Sequence, residues 1–128
     1  MFIIDAFDET KQEDGEWFEF EGAEFLIASV ESPKFIRTYE RLQKPYKKSR
    51  SEISQETSLK LICEALADAV LLDWRNVYQS AAKKPVEYSK ETAKQALIKN
   101  KKLREFVTEV AAEQDNYLRA EVAEVSGK

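Results

Sequence analysis

The stretch "SLKLICEALADAVLLDW", residues 58–74, constrains the fold more than any other part of the chain. Lys60, Glu64 and Asp68 recur every fourth residue and form a narrow polar stripe. Leu59, Leu61, Ile62, Ala65, Leu66, Ala69, Val70 and Leu72 occupy the rest. A helix that is apolar over most of its circumference must be contacted from several sides. The pattern therefore predicts a central helix from about Ser54 to Trp74, with the remaining elements packed around it. Glu64 and Asp68, at i and i+4 with no third polar group beside them, read as a solvated edge rather than as a pair for acid–base work.

The flanking segments supply those elements. Asp14-Gly15 is a turn signal, and "EWFEFEGAEFLIASV" follows as two short strands. Phe18 and Phe20 alternate with Glu19 and Glu21, the period of a half-buried strand, and Gly22 suits a tight hairpin turn. A lone hairpin is marginal in water, so it must pack on helices or pair with another strand, and "MFIIDAF" is a candidate third strand. Ser32-Pro33 starts a helix in which Phe35, Tyr39 and Leu42 share one face. Pro45 is expected to end or kink that helix, and "KPYKKSRSEIS" to act as a polar, basic connector.

Beyond Trp74, residues 75–88 carry no clear period and are expected to be a loop. Long loops inside small domains tend to be functional or disordered. Ser89 opens a further helix, with Glu91 near the positive end of its dipole. Asn100 either caps a new helix or marks a bend. Leu103, Phe106, Val107, Val110, Ala111, Gln114, Tyr117 and Leu118 then follow at helical spacing. A continuous helix from Lys101 to Glu124 would be roughly 36 Å long, more than so small a domain is expected to cover. Its far end would fray or contact another molecule. The expected fold is mainly α: three to four helices with an N-terminal β-hairpin. The 128 residues form a single domain, divided into an acidic hairpin region (1–30), a basic helix and core helix (31–74), a loop (75–88) and C-terminal helices (89–125).

Composition removes most enzyme classes. The chain has no histidine, which excludes His-ligated metals, Ser-His-Asp and Cys-His arrangements. The single cysteine, Cys63, lies among apolar neighbours and reads as a small buried hydrophobe. No P-loop, GxGxxG, CxxC pair or EF-hand spacing occurs, so no catalytic residue, cofactor or metal is expected. The longest apolar run, Ala69 to Leu72, is far short of the roughly 20 residues of a membrane span. The first residues lack the basic and apolar regions of a signal peptide, and a cytosolic protein is expected.

Charge is strongly divided. Residues 1–24 hold nine acids against Lys11, a net of −8, while residues 34–50 hold seven bases against Glu40, a net of +6. This is either two solvated faces or a polar molecule suited to head-to-tail association. The sequence pI near 5.1 counts against nucleic acid as partner.

"LLDWRNV", a connector, and "PVEYSKETAKQALIKNKKLREFVTEVAAEQDNY" together resemble the C-terminal half of the tail assembly chaperones of long-tailed, non-contractile (lambda-like) phages. In that family a helix ends in W-x-x-V, and a Pro-apolar-x-aromatic-Ser/Thr element later caps the next helix. Trp74, Val77, Pro85, Val86, Tyr88 and Ser89 hold those places here, although the connector reads "YQSAAKK" where many relatives carry an Asp-Gly turn. The acidic hairpin with its tryptophan and the Ser-Pro helix extend the resemblance to the front of the chain.

The resemblance implies a non-enzymatic protein of the host cytoplasm, absent from the mature virion. Such a protein binds the tape measure protein, keeps it soluble, and helps tail-tube protein assemble around it. It also implies a homo-oligomer or open spiral, and in many members a longer frameshifted form. Trp74, Val86 and Tyr88 are then expected as a lid over the core. Phe106, Val110 and Tyr117 are the expected partner surface, and Trp17, Phe18, Phe20, Arg37 and Arg41 the expected self-contacts. The alternatives are a helical head–tail connector or adaptor of the particle, an acidic inhibitor or DNA mimic, and an enzyme working with carboxylates alone.

Overall fold

A computed structural model of the chain describes residues 1–47, 53–80 and 83–125. The central helix is there: α3 (Gln55–Ala69) starts at Ser54, whose hydroxyl accepts from the Thr57 N–H. Cys63, Ala65, Leu66, Ala67 and Ala69 are all buried along it. Helices α2 (Pro33–Lys47) and α4 (Lys90–Lys99) pack on either side of α3. The polar stripe faces these neighbours. Lys94 pairs with Glu64 at 3.2 Å, and Lys90 with Asp68 at 2.7 Å.

Helix α3 ends five residues earlier than its apolar pattern implies. The chain turns at Val70 and runs as β3 (Leu71–Arg75) beside the hairpin of β1 (Glu16–Phe20) and β2 (Ala23–Ile27). The three form an antiparallel sheet in the order β1-β2-β3, with Phe18 opposite Phe25 and Phe25 opposite Trp74. A short apolar run fits a buried strand as well as a helix. The choice is made by β2, a distant strand whose free edge Leu71–Arg75 satisfies. Hence the third strand is not "MFIIDAF", which contributes only the isolated bridge Phe7–Leu118.

Two more expectations change. Residues 75–88 are not a structureless loop, because β4 (Tyr78–Gln79) and β5 (Lys84–Pro85) form a small antiparallel ladder. The final amphipathic stretch is not one long helix. Helix α5 (Lys101–Ala112) stops, a 3₁₀ turn covers Gln114–Tyr117, and α6 (Ala120–Val125) follows. Side chains just past the end take over its last carbonyls, which otherwise lack donors. Gln114 Nε2 donates to the carbonyls of Ala111 and Ala112, and Asn116 Nδ2 to that of Val110. The turn then buries Tyr117 completely. Helix α2, by contrast, continues through Pro45 to Lys47, where a missing N–H costs only one bond of the last turn. Residues 48–52 of the connector, with Lys48 and Arg50, lie outside the described residues.

Before the hairpin comes a helix the sequence reading had missed, α1 (Glu9–Asp14). The Asp8 carboxylate caps it by accepting from Thr10 and Lys11 N–H, and the Gly15 N–H closes it on Lys11 O. With six α-helices, 57% helical and 18% strand residues, and two antiparallel sheets among the described residues, the fold is mixed α/β with helices predominating. This replaces the expectation of a mainly α domain of three to four helices. The core fills the space between α3, the inner face of the sheet (Phe25, Ile27, Trp74) and α5 (Leu103, Val107, Ala111).

Candidate functional site

The residues that carry the resemblance come together in one joint. Trp74, next to last in β3, donates its indole N–H to Val86 O at 2.8 Å. Tyr88 stands edge-on to that indole, with ring centroids 5.4 Å apart at 89°, and its hydroxyl donates to Leu71 O at 2.7 Å. Val86 N–H closes on Val77 O, so the short β4–β5 ladder folds back over the tryptophan. Asn76, Ser80 and Lys83 make the tight turns with positive φ, the region that the Asp-Gly of the resembling family would favour. Burial, with Asp73 and Asp68 nearby, pushes the Tyr88 phenol up to about 12. Ser89 caps α4 in a reciprocal pair with Thr92. Trp74 thus meets both Val86 and Tyr88 at the edge of the core.

The expected partner surface is split. Phe106 is half-buried, stacked on Phe20 at 4.4 Å and edge-on to Phe25, and Val110 is half-buried on the same helix. Tyr117 is 0% exposed, and its hydroxyl donates to Ile27 O at 3.0 Å. Burial raises its phenol far above the ordinary value. Tyr117 is a core residue and does not belong to any surface of the folded chain.

The expected self-contacts are also divided. Phe18 and Phe20 lie on the inner face of the hairpin, packed against the core. Trp17 lies on the outer face, half-buried under the Arg75 guanidinium, 3.8 Å from its ring. Arg37 and Arg41 are exposed on α2. Arg41 stands 4.0 Å from Asp68, which also accepts from Thr38 and Lys90. The Lys90 hydrogen bond, opposed by partial burial and helped by the Lys90 charge, holds the Asp68 carboxyl below its usual range.

Cys63 is fully buried, and burial raises its thiol against the opposing pull of Arg104 and Lys94, which keeps it a thiol at neutral pH. Among the described residues no group of three or more acids and cysteines is placed to hold a metal ion, and no helix is long and apolar enough to cross a membrane.

One exposed feature had no counterpart in the sequence reading. Met1, Phe2 and Ile4 project into solvent, Phe2 at 91% and Ile4 at 89% exposure, and Phe7 is partly exposed. The signal lay in "MFII", an apolar cluster immediately followed by acids.

Comparison with known proteins gives one family. The model of the family described as YdaY prophage protein matches residues 30–128, from the residue before Glu31 through α2 to the end of the chain. No curated protein and no solved structure matches.

Proposed function

Because this chain belongs to the YdaY prophage protein family, and is therefore phage-derived, we propose that it is a non-enzymatic tail assembly chaperone. It binds the tape measure protein in the host cytoplasm, keeps it soluble while tail-tube protein assembles around it, and is left out of the mature particle. Several copies act together on one partner. Many weak repeated contacts along a long helical polypeptide supply through avidity what a single small interface does not.

The observation that carries this reading is the joint of Trp74, Val77, Val86 and Tyr88. The residues that resemble the chaperone family lie on both sides of the connector, and its short ladder brings them together around one indole and one phenol. A matching string of residues with no common contact would have carried much less weight. The half-buried Phe106 and Val110 on α5 supply apolar area of the kind that a helical partner can cover.

The test is co-expression with the tape measure protein of the same phage genome. The proposal expects the partner to move from the pellet to the soluble fraction and to co-purify with this chain. A partner that precipitates as it does alone contradicts it. Finding this chain in purified particles favours the head–tail connector instead.

A further inference from the structure

We propose that residues Met1–Ile4 of one copy seat in a groove of the next copy, between the tip of the β1–β2 hairpin and the α4–α5 corner. The proposal rests on the multi-copy reading above and specifies its contact. The groove encloses about 590 Å³, and its apolar lining comes from Phe20, Ala23, Phe25, Val77, Tyr78 and Leu103. Tyr78 is 54% exposed at its mouth. The occupant must be apolar and narrow, and must approach from outside, because α5 and β2 carry the chain away from the groove.

The leading segment meets each requirement. Met1, Phe2 and Ile4 are almost fully exposed, so they bring apolar area that nothing among the described residues covers. The segment also starts from the opposite end of the molecule. Strand β2 runs from Ala23 at the groove to Ile27, whose carbonyl accepts from Tyr117. Helix α5 runs alongside it from Leu103 at the groove to Ala111, whose carbonyl accepts from Val30 N–H. There, Arg119 N–H on Ala6 O and Asp8 N–H on Tyr117 O anchor the base of the segment. Giver and receiver thus lie at the two ends of one molecule, and a contact between them is heterologous and continues from copy to copy.

Charge selects a second copy as the occupant. Asp5, Asp8 and Glu9 follow the apolar segment; Asp5 pairs with Arg119 and the Asp8 carboxylate caps α1, so Glu9 adds most to the outward negative charge. The exposed Lys99 lines the groove with Glu21, and Lys101 and Lys102, 77% and 74% exposed, lie beside it on the first turn of α5; Lys102 pairs with Glu21 at 3.4 Å and Lys101 with Glu105 at 3.7 Å, so the rim keeps a small net positive charge through Lys99. An acidic stem behind an apolar plug therefore meets a basic rim around an apolar hole. The pairing of opposite fields steers the approach and makes the contact weaken with salt.

The experiment uses the full chain, with sedimentation velocity over a range of concentrations and with disulfide trapping. Buried Cys63 stays in place, and a chain carrying it alone serves as the control. Phe2→Cys mixed with Tyr78→Cys should trap a crosslink between the two variants that neither forms alone. Phe2→Ser combined with Ile4→Ser should weaken self-association by about 100-fold, the loss expected for two buried apolar side chains. Lys99→Glu should weaken it too, and rising salt should do the same to the unaltered chain.

Association that persists unchanged in the Phe2→Ser, Ile4→Ser chain, with no Phe2–Tyr78 crosslink, overturns this contact while the multi-copy reading stands. A chain that stays monomeric at every concentration also overturns it. Failure of the chaperone reading shows separately, as a tape measure protein that remains insoluble. Circular dichroism of each variant, all altered at exposed positions, reports whether the fold is kept.

Discussion

The joint at Trp74–Tyr88 and the leading segment at Met1–Phe7 are both short and aromatic, yet they treat their apolar side chains in opposite ways. In the joint, the indole and the phenol each bury a ring and end on a backbone carbonyl, that of Val86 and that of Leu71. The segment is held at both ends, by β3 on one side and by the capped start of α4 on the other. The leading segment is anchored at its base by two backbone bonds, Asp8 N–H on Tyr117 O and Arg119 N–H on Ala6 O, and by the Arg119–Asp5 pair, while its first side chains face water. Apolar content alone therefore does not decide what is buried. An aromatic residue goes inside where the chain is pinned on both sides and where its polar tip has an acceptor. The side chains of Met1, Phe2 and Ile4 have no such anchor and stay exposed.

This contrast can be broken first at Trp74. Trp74→Ala removes the ring packed against Phe25 and Tyr88, and should cost about 3–5 kcal/mol by denaturant unfolding. A cost under roughly 1 kcal/mol would mean that the joint does not hold the core. Gly15 links α1 to the sheet with φ +82°, and a Cβ there would meet the Ile27 carbonyl carbon at 3.0 Å. Gly15→Ala is expected to cost roughly 2 kcal/mol, whereas Gly22→Ala, with positive φ but open space around it, should cost about 1 kcal/mol.

A smaller effect separates the joint by pH. The Tyr88 phenol is pushed up from 10.0 to about 12 on folding, so the folded state favours its protonated form. Its contribution is complete below the unfolded value and is lost as pH rises from about 10 towards 12. Tyr117 titrates late in the same direction. Absorbance titration of the phenolate should show these two phenols ionising together with alkaline unfolding, and Tyr88→Phe should remove one of them.

Asp68 works in the opposite sense. Its lowered folded value gives stability that is present at neutral pH and is lost on acidification. Since Lys90 is well exposed, Asp68→Asn should cost under about 1 kcal/mol at neutral pH. At the far end of the scale, Phe2→Ser with Ile4→Ser should leave unfolding within about 0.5 kcal/mol, as both side chains are exposed.

Local chemistry was readable at most helix starts, where a single capping residue sets the boundary. Ser32, Ser54, Ser89 and Asn100 each cap the helix that follows, and the Asn100 cap makes α4 and α5 two helices. The Phe18–Phe20 alternation and Gly22 mark the hairpin that forms. What stayed hidden depends on distant partners. Leu71–Arg75 is a strand because β2, far back in the sequence, lies beside it. Helix α5 stops without a glycine or proline, because Gln114 and Asn116 bond back to its carbonyls and Ser29 holds the Gln114 amide. For the same reason Tyr117, at perfect helical spacing behind Phe106 and Val110, is in the core. Helix α1 was legible in principle, with Asp8 as cap and Gly15 as stop, but an apolar beginning at "MFII" suggests a strand more strongly.

The account is tested most directly by the mass of the complex that this chain forms with the tape measure protein, measured by light scattering after size-exclusion chromatography. It predicts a soluble particle in which many copies of this chain accompany one partner. The Phe2→Ser, Ile4→Ser chain should give a smaller one. A complex with a single copy per partner, or no complex at all, would contradict it.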